Sequence, residues 1–420
     1  MTAREARLPP AGLAAGLAYC DSAGRVYFDE ASAPLADGGF VRAPLAEELI
    51  PAPPGTVTAL LPGRTPLLNK AGGGSRPAGR RTALSALLPA GYTRLLVPAY
   101  RTRPGAPTLP LFGYAFACCV DDELYVAAMR TDESEDWQPR YFAEGELAEC
   151  VAARCALDPA NRVLRQVALC ARDYGCFTAQ NVFLERGEAA LPLSPSCNAR
   201  CRGCISELEP EAGIPSPQTR IAYDASAEEL ARVALHHLAR VPEGIVSFGQ
   251  GCEGEPLLRA PTMARAIGSI RAAVATGTIN LNTNGSLPKS LSRVIDAGLQ
   301  AVRISLNSFR PEVYAAYYRP LGYGLDDVLE SVRLASAAGL RVSLNLLTFP
   351  GVSDERAEIE AAESVLASLR VDMVQTRTLN IDPEVYRAAV GPPVEPLGMR
   401  VALERIAARG VALGNFTHAH

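Results

Sequence analysis

Histidine is scarce in this chain. Only four occur in 420 residues: His236 and His237 fall mid-helix on an expected surface, and His418 and His420 close the sequence. None has the spacing of a histidine metal knuckle beside another donor, and no Ser-His-Asp set can be assembled. Long uncharged apolar runs are missing too. The opening residues, MTAREARLPPAGLAAGLAYC, carry charges and prolines where a secretory signal needs a continuous apolar core. No later segment offers a membrane-spanning stretch, so a cytoplasmic protein with no membrane partner is expected. A strong charge of either sign is absent as well. The formal net charge of -4 gives no global attraction for polyanions, and no basic stripe with interleaved aromatics marks a nucleic-acid surface, so nucleic acid is not expected as a partner. The Gly-rich segment NKAGGGSRPAGRRT carries Lys70, Arg76, Arg80 and Arg81 but lacks the G-K-[ST] ending of a P-loop. It reads as a solvated loop or, functionally, as a flap over a substrate.

Cysteine, in contrast, is in excess. Eleven cysteines in a reducing compartment point to metal ligation or redox chemistry rather than disulfides. Three of them, Cys197, Cys201 and Cys204, form a C-x3-C-x2-C array in LPLSPSCNARCRGCIS, at the end of an apolar segment. Thiolates are the soft ligands that iron and sulfide prefer, and one short loop orders three of them cheaply. A four-iron cluster held by three protein ligands keeps one iron open to a small molecule. Cys150, Cys155, Cys170 and Cys176, near a helix pair at 143–157 and 161–174, are candidate ligands of an auxiliary iron-sulfur cluster or zinc. Their C-x4-C and C-x5-C spacings are looser than structural knuckles, and ordinary burial in helices is the alternative. Cys252 is a candidate fourth soft ligand, hydrogen-atom donor or spectator.

Length and an apolar content of nearly half the chain favour two or three domains with buried cores. Short apolar and β-branched runs at 56–61, 92–100, 110–120 and 123–130 predict strands, with Asp121-Asp122 turning a hairpin. Another hairpin is expected at 181–193 around Arg186-Gly187, its second arm leading into the cysteine loop. Residues 1–185 therefore read as a small α+β N-terminal domain, a candidate for substrate recognition. From 186 to 420 strands and helices alternate, with Ser226 and Glu229 forming a capping box for a helix through Arg240. Six βα units imply a parallel sheet, and the ligand of such a sheet sits at the C-terminal strand ends. Periodicity does not decide whether the sheet closes.

The cysteine loop after the first strand of a βα series resembles the signature of the radical S-adenosylmethionine enzymes, over roughly residues 188–383. Gly203 departs from the pattern, which carries an aromatic residue before the third cysteine. The resemblance implies a partial (β/α)6 TIM-like barrel, a [4Fe-4S] cluster on Cys197, Cys201 and Cys204, and S-adenosyl-L-methionine as cosubstrate. It also implies residue roles. Gly254, Glu255 and Pro256, ending the second strand, match the motif that holds the amino group of the methionine portion. Glu253 stands where the family has a glycine, so that either glutamate is a candidate. Ser305 and Asn307 match ribose-contacting residues, Asn284 lies in a recurrent third-strand ending, and Arg319 is placed to clamp the methionine carboxylate.

The expected reaction is reductive cleavage of S-adenosylmethionine to a 5′-deoxyadenosyl radical that abstracts hydrogen from a substrate. It needs a reducing partner such as flavodoxin or ferredoxin. A peptide or protein substrate would suit the extra N-terminal domain, and no catalytic residue on the substrate side can be named. The alternative is a non-catalytic scaffold binding zinc or a structural iron-sulfur cluster, which explains the cysteines but not the polar strand ends.

Overall fold

The computed structural model describes residues 15–132 and 144–414. They fall into two compact units, one built from 144–346 and 365–375, the other from 15–132, 347–364 and 376–414. Residue 185, where the sequence suggests a boundary, lies inside the first unit.

Strands β1 (Glu188–Leu191), β2 (Ile245–Phe248), β3 (Thr278–Thr283), β4 (Ala301–Leu306) and β5 (Arg341–Thr348) pair in that order, all parallel, with Leu191 level with Phe248 and Ser305 level with Asn345. The sheet continues through β6 (Met373–Thr378) to β7 (Ala412–Gly414). Helices connect successive strands, and the architecture is the α/β partial barrel that the sequence implied. One face of each strand is apolar and fully covered: Leu191, Phe248, Leu281, Ile304 and Leu344 are each at most 1 % exposed. Each such side chain contributes roughly 1.5–3 kcal/mol by leaving water. The other face carries Ser247, Asn280, Asn282, Arg303, Ser305 and Asn345 by strict alternation. A parallel sheet apolar on both faces would read as continuous hydrophobic runs; here the second face is polar.

Ser226 caps the helix Ala227–Arg240, its side chain accepting from the Glu229 amide while Glu229 reaches back, as the capping box predicts. Glu229 also takes the Arg162 guanidinium at 2.7 Å, which holds its carboxyl down at about 2 and ties in the helix Arg162–Asp173. His237 in this helix is buried, with Nε2 3.2 Å from the Gly187 carbonyl oxygen, so the surface position expected for it is incorrect. The hairpin expected at 181–193 is half right. Its second arm is β1, but its first lies in the helix Phe177–Phe183, whose Ala179, Val182 and Phe183 are buried at helical spacing. A short apolar run does not distinguish a strand from a helix end.

In the other unit, residues 15–132 are strands with one 3-10 turn at Ala46–Glu48. The helices that sequence reading placed in an N-terminal α+β domain, Glu144–Leu157 and Arg162–Asp173, belong to the barrel unit. Asp121 and Asp122 turn the hairpin Ala115–Val120 to Glu123–Arg130, both with positive φ (51° and 58°), the backbone a two-residue hairpin turn requires. The Gly-rich basic segment is also a hairpin, Arg64–Asn69 against Ser75–Pro77, with Lys70 exposed at its tip. Arg81 leaves this basic group by pairing with Asp29 at 2.7 Å and lying over the Tyr19 ring. A buried ion pair, Arg64 to Asp382 at 3.2 Å, joins residues far apart in sequence within this unit. Among the described residues no helix is long and apolar enough to cross a membrane.

Candidate active site at the cysteine loop

The loop leaving β1 is held along its whole length by hydrogen bonds from three directions. On one side, the Arg200 and Arg202 amides donate to the Tyr318 and Tyr317 carbonyls at 3.1 Å each, and the Leu321 amide donates to the Asn198 carbonyl at 2.9 Å. The helix Pro311–Tyr318 that supplies these acceptors packs Tyr314 on Tyr318, ring centroids 4.6 Å apart. On the second side, Asn284 Nδ2 donates to Asn198 Oδ1 at 3.0 Å, and Asn198 Nδ2 donates to Ser286 Oγ at 2.9 Å, fixing a residue between the first two cysteines to the end of β3.

The third side is the segment after β2. The Gly254 amide donates to the Ser194 carbonyl at 2.7 Å and the Glu255 amide to the Ser196 carbonyl at 2.8 Å. Glycine is required at 254, because an added Cβ would stand 2.0 Å from Ser196 O. Pro256 starts the short turn Pro256–Arg259, capped by Glu255. The Glu255 carboxylate accepts from the Leu257 amide at 2.9 Å, Thr283 Oγ1 at 2.6 Å and the Asn284 amide at 2.8 Å, and burial raises its pKa. Glu253 is equally committed, accepting four main-chain amides. Burial pushes it up to about 7. Both glutamates that the resemblance offered for a ligand ammonium therefore bond the chain itself.

Cys197, Cys201 and Cys204 lie along this loop. Burial pushes the Cys197 thiol up to about 11 and raises Cys201 well above its ordinary value, with the neighbouring cysteines adding to the rise at Cys201. Arg220 opposes this. Its Nη2 lies 3.4 Å from Cys204 Sγ, and its charge favours thiolate at Cys197 and Cys201. Among the described residues no three His, Cys, Asp or Glu side chains are grouped to hold one metal ion. A four-iron cluster asks for a different arrangement, one thiolate on each of three irons, and three sulfurs on one tethered loop, sensing one another's charge without closing on a point, fit it.

The remaining candidates are dispersed around this centre. Asn284 is buried and bonded to Asn198 and Glu255. Ser305 is half-buried on β4, and its Oγ accepts from Asn345 Nδ2 at 3.1 Å. Asn307 is fully buried, its Nδ2 3.3 Å from the Val313 carbonyl. Arg319 sits in the left-handed region (φ 48°) at the end of its helix and is ion-paired with Glu209. Of the four cysteines considered for an auxiliary cluster, Cys170 and Cys176 line one small cavity together with Cys252, whereas the charged neighbours of Cys155 are Arg154, Arg172 and Arg165. Sequence reasoning missed Arg220, Asn198 and the clasping role of Glu253. Asn198 lies within the motif, whereas Arg220 sits in an irregular stretch with no periodic signal.

Residues 191–361 match the sequence model of the Radical SAM superfamily. That segment, which includes the cysteine loop, is therefore similar in sequence to the radical SAM enzymes. It is similar to a GTP 3′,8-cyclase of Heliobacterium modesticaldum, 34 % identical over 170 residues, covering 39 % of this chain and 46 % of the relative. It is also similar to the FeMo cofactor biosynthesis protein NifB of Klebsiella pneumoniae, 26 % identical over 180 residues, covering 39 % of this chain and 37 % of that protein. The chain thus spans less than half the length of these curated relatives. A solved methylornithine synthase matches 65 % of this chain and 75 % of its own at 13 % identity, with a TM-score of 0.40.

Proposed function

We propose that the chain is a radical SAM enzyme that uses a [4Fe-4S] cluster on Cys197, Cys201 and Cys204 to cleave S-adenosylmethionine reductively and abstract hydrogen from a polar substrate. The observation that carries this reading is the loop of three tethered thiols at the C-terminal end of β1, with one cation, Arg220, against Cys204. When bound, the cluster supplies the electron that breaks the sulfonium bond; a one-electron donor such as flavodoxin or ferredoxin would reload it.

The chain's own residues bind and orient. Gly254 lets the segment after β2 lie against the loop, so the methionine portion would be met by main-chain groups of 254–256 more than by the engaged Glu255 carboxylate. Ser305 is the accessible ribose candidate, whereas Asn307 is fully buried and bonded to the Val313 carbonyl. Arg319 would reach the methionine carboxylate by exchanging it for Glu209. The polar sheet face, with half-exposed Asn282, Ser305 and Asn345, supports a hydrogen-bonding substrate. Asn345 Oδ1 is buried there with no hydrogen-bond partner, an acceptor a substrate donor would satisfy. The names of the relatives, a nucleotide cyclase and a cofactor biosynthesis protein, favour a small polar molecule over a peptide or protein.

Anaerobic reconstitution with iron and sulfide, followed by S-adenosylmethionine and dithionite, tests the reading. The expected result is a brown protein that forms 5′-deoxyadenosine, with Cys201→Ala losing both properties. A colourless zinc protein, a cluster that yields no deoxyadenosine, or turnover by Cys201→Ala would refute it.

A further inference from the structure

Glu253 stands where the radical SAM pattern places a glycine, and its surroundings are unlike those of a ligand-binding carboxylate. It is 5 % exposed and, among the described residues, has no cationic partner in hydrogen-bond contact. Its Oε2 accepts from the Leu193 and Ser194 amides, both at 2.8 Å, at the root of the cysteine loop. Its Oε1 accepts from the Gly249 and Gln250 amides at 2.8 and 2.7 Å, the exit of β2. Its own carbonyl lies 3.4 Å from Ser206 Oγ, and that hydroxyl is 3.6 Å from Cys204 Sγ. One residue therefore holds the cysteine loop on both sides of its three thiols, at the root through the carboxylate and at the exit through the main chain. The next two residues, Gly254 and Glu255, are bonded to Ser194 and Ser196 inside the same loop.

Four amide donors saturate a carboxylate with charge-assisted bonds, so no acceptor capacity is left for a ligand ammonium. We propose that Glu253 is the positioning residue of this site: it fixes the cluster-bearing loop and the 254–256 segment in one register, so that cluster and cosubstrate meet, while touching neither. This rests on the radical SAM reading above.

Hydrogen exchange on the metal-free protein, read by mass spectrometry over 191–197 and 248–252, tests the clasp directly. Glu253→Gln puts an amide NH2 against two main-chain N–H groups, and exchange in both segments should quicken at least tenfold. Glu229→Gln, which loosens a capping box away from the loop, is the structural control and should leave both segments as in the wild type. In reconstituted protein, Glu253→Gln should weaken S-adenosylmethionine affinity about tenfold, read as the concentration needed to shift the spectrum of the reduced cluster, whereas Glu229→Gln should not. Unchanged exchange in Glu253→Gln, or equal loss of affinity in both variants, would overturn the proposal. If Glu253→Gln does not fold, the wild type decides: protected Leu193 and Ser194 amides support the clasp, and exchange at solvent rates refutes it. Failure of the wild type to cleave S-adenosylmethionine would sink the functional reading but leave the exchange result standing.

Discussion

Gly254→Ala is the smallest substitution that tests how the two loops of the site are fitted together. A Cβ at this position would meet Ser196 O at 2.0 Å, Ser196 C at 2.3 Å and Cys197 N at 3.0 Å, all main-chain atoms. No side chain can swing aside, so the backbone of the cysteine loop or of 254–256 must move by on the order of 1 Å. Two hydrogen bonds span this contact, Gly254 N to Ser194 O at 2.7 Å and Glu255 N to Ser196 O at 2.8 Å. Losing both costs about 1 kcal/mol each, and forcing a methyl group into a packed contact costs about 1–3 kcal/mol more. A total of roughly 3–5 kcal/mol lowers the melting temperature of a unit this size by on the order of 10 °C. The assay pairs a thermal melt of metal-free protein with iron content after anaerobic reconstitution, and both should fall. Gly268→Ala is the control. Gly268 lies inside the helix Ala260–Ala273 with nothing within 4 Å of an added Cβ, so alanine there should stabilise by roughly 0.5–1 kcal/mol. Wild-type melting and full iron loading in Gly254→Ala would show that the loop does not rest on this segment.

Two further outcomes follow from the charges. Arg220→Met removes the cation beside Cys204 Sγ, so iron should be lost to a chelator severalfold faster than from wild type, and an unchanged rate would deny Arg220 a role at the thiolates. Asp354 is buried, and burial pushes its carboxyl up from 3.8 to about 7. The folded state therefore binds this proton more tightly than the unfolded chain, and stability should rise as the pH falls from about 7 towards 4, by up to about 4 kcal/mol. Denaturation midpoints at pH 7.5 and 5.5 should differ more in wild type than in Asp354→Asn, and equal differences would refute the assignment.

The cysteine loop and the alternating strands were legible because their signals are local: three soft ligands within one turn of chain, and polar residues at period two along β3, β4 and β5. Ser305 and Asn345 were visible on the same grounds. What sequence could not convey is pairing between distant main-chain and side-chain groups. The donors to Glu253 come from Leu193 and Ser194 as well as from its own loop, and a backbone amide has no sequence letter. The glutamate thus read as one of two candidates for a ligand ammonium, with Glu255 the better match, whereas its carboxylate accepts four main-chain amides. The grouping of Cys170 and Cys176 with Cys252, rather than with Cys150 and Cys155, is a consequence of tertiary packing in the same way. The apolar letters of 181–184 misled for a different reason: they continue a helix whose buried positions begin at Ala179, upstream of the stretch that looked like a strand arm.

The charge balance of the site ties these observations together. Three thiols and two buried carboxyls, Glu253 and Glu255, lie at a loop where the guanidinium in contact with Cys204 Sγ is that of Arg220, itself shared with Glu207. Burial and neighbouring charges raise Cys197 and Cys201, which favours their protonated thiols in the metal-free protein, with Glu255 contributing at Cys197. Iron entering the loop must displace those protons, and its positive charge then supplies what one guanidinium cannot. The carboxylates stay useful because their amide donors hold them in place whether or not metal is present. The loop's geometry is therefore set by hydrogen bonds independent of the cluster, while its charge is completed only by a cationic occupant, and a metal-free fold already shaped for the cluster is the expected consequence.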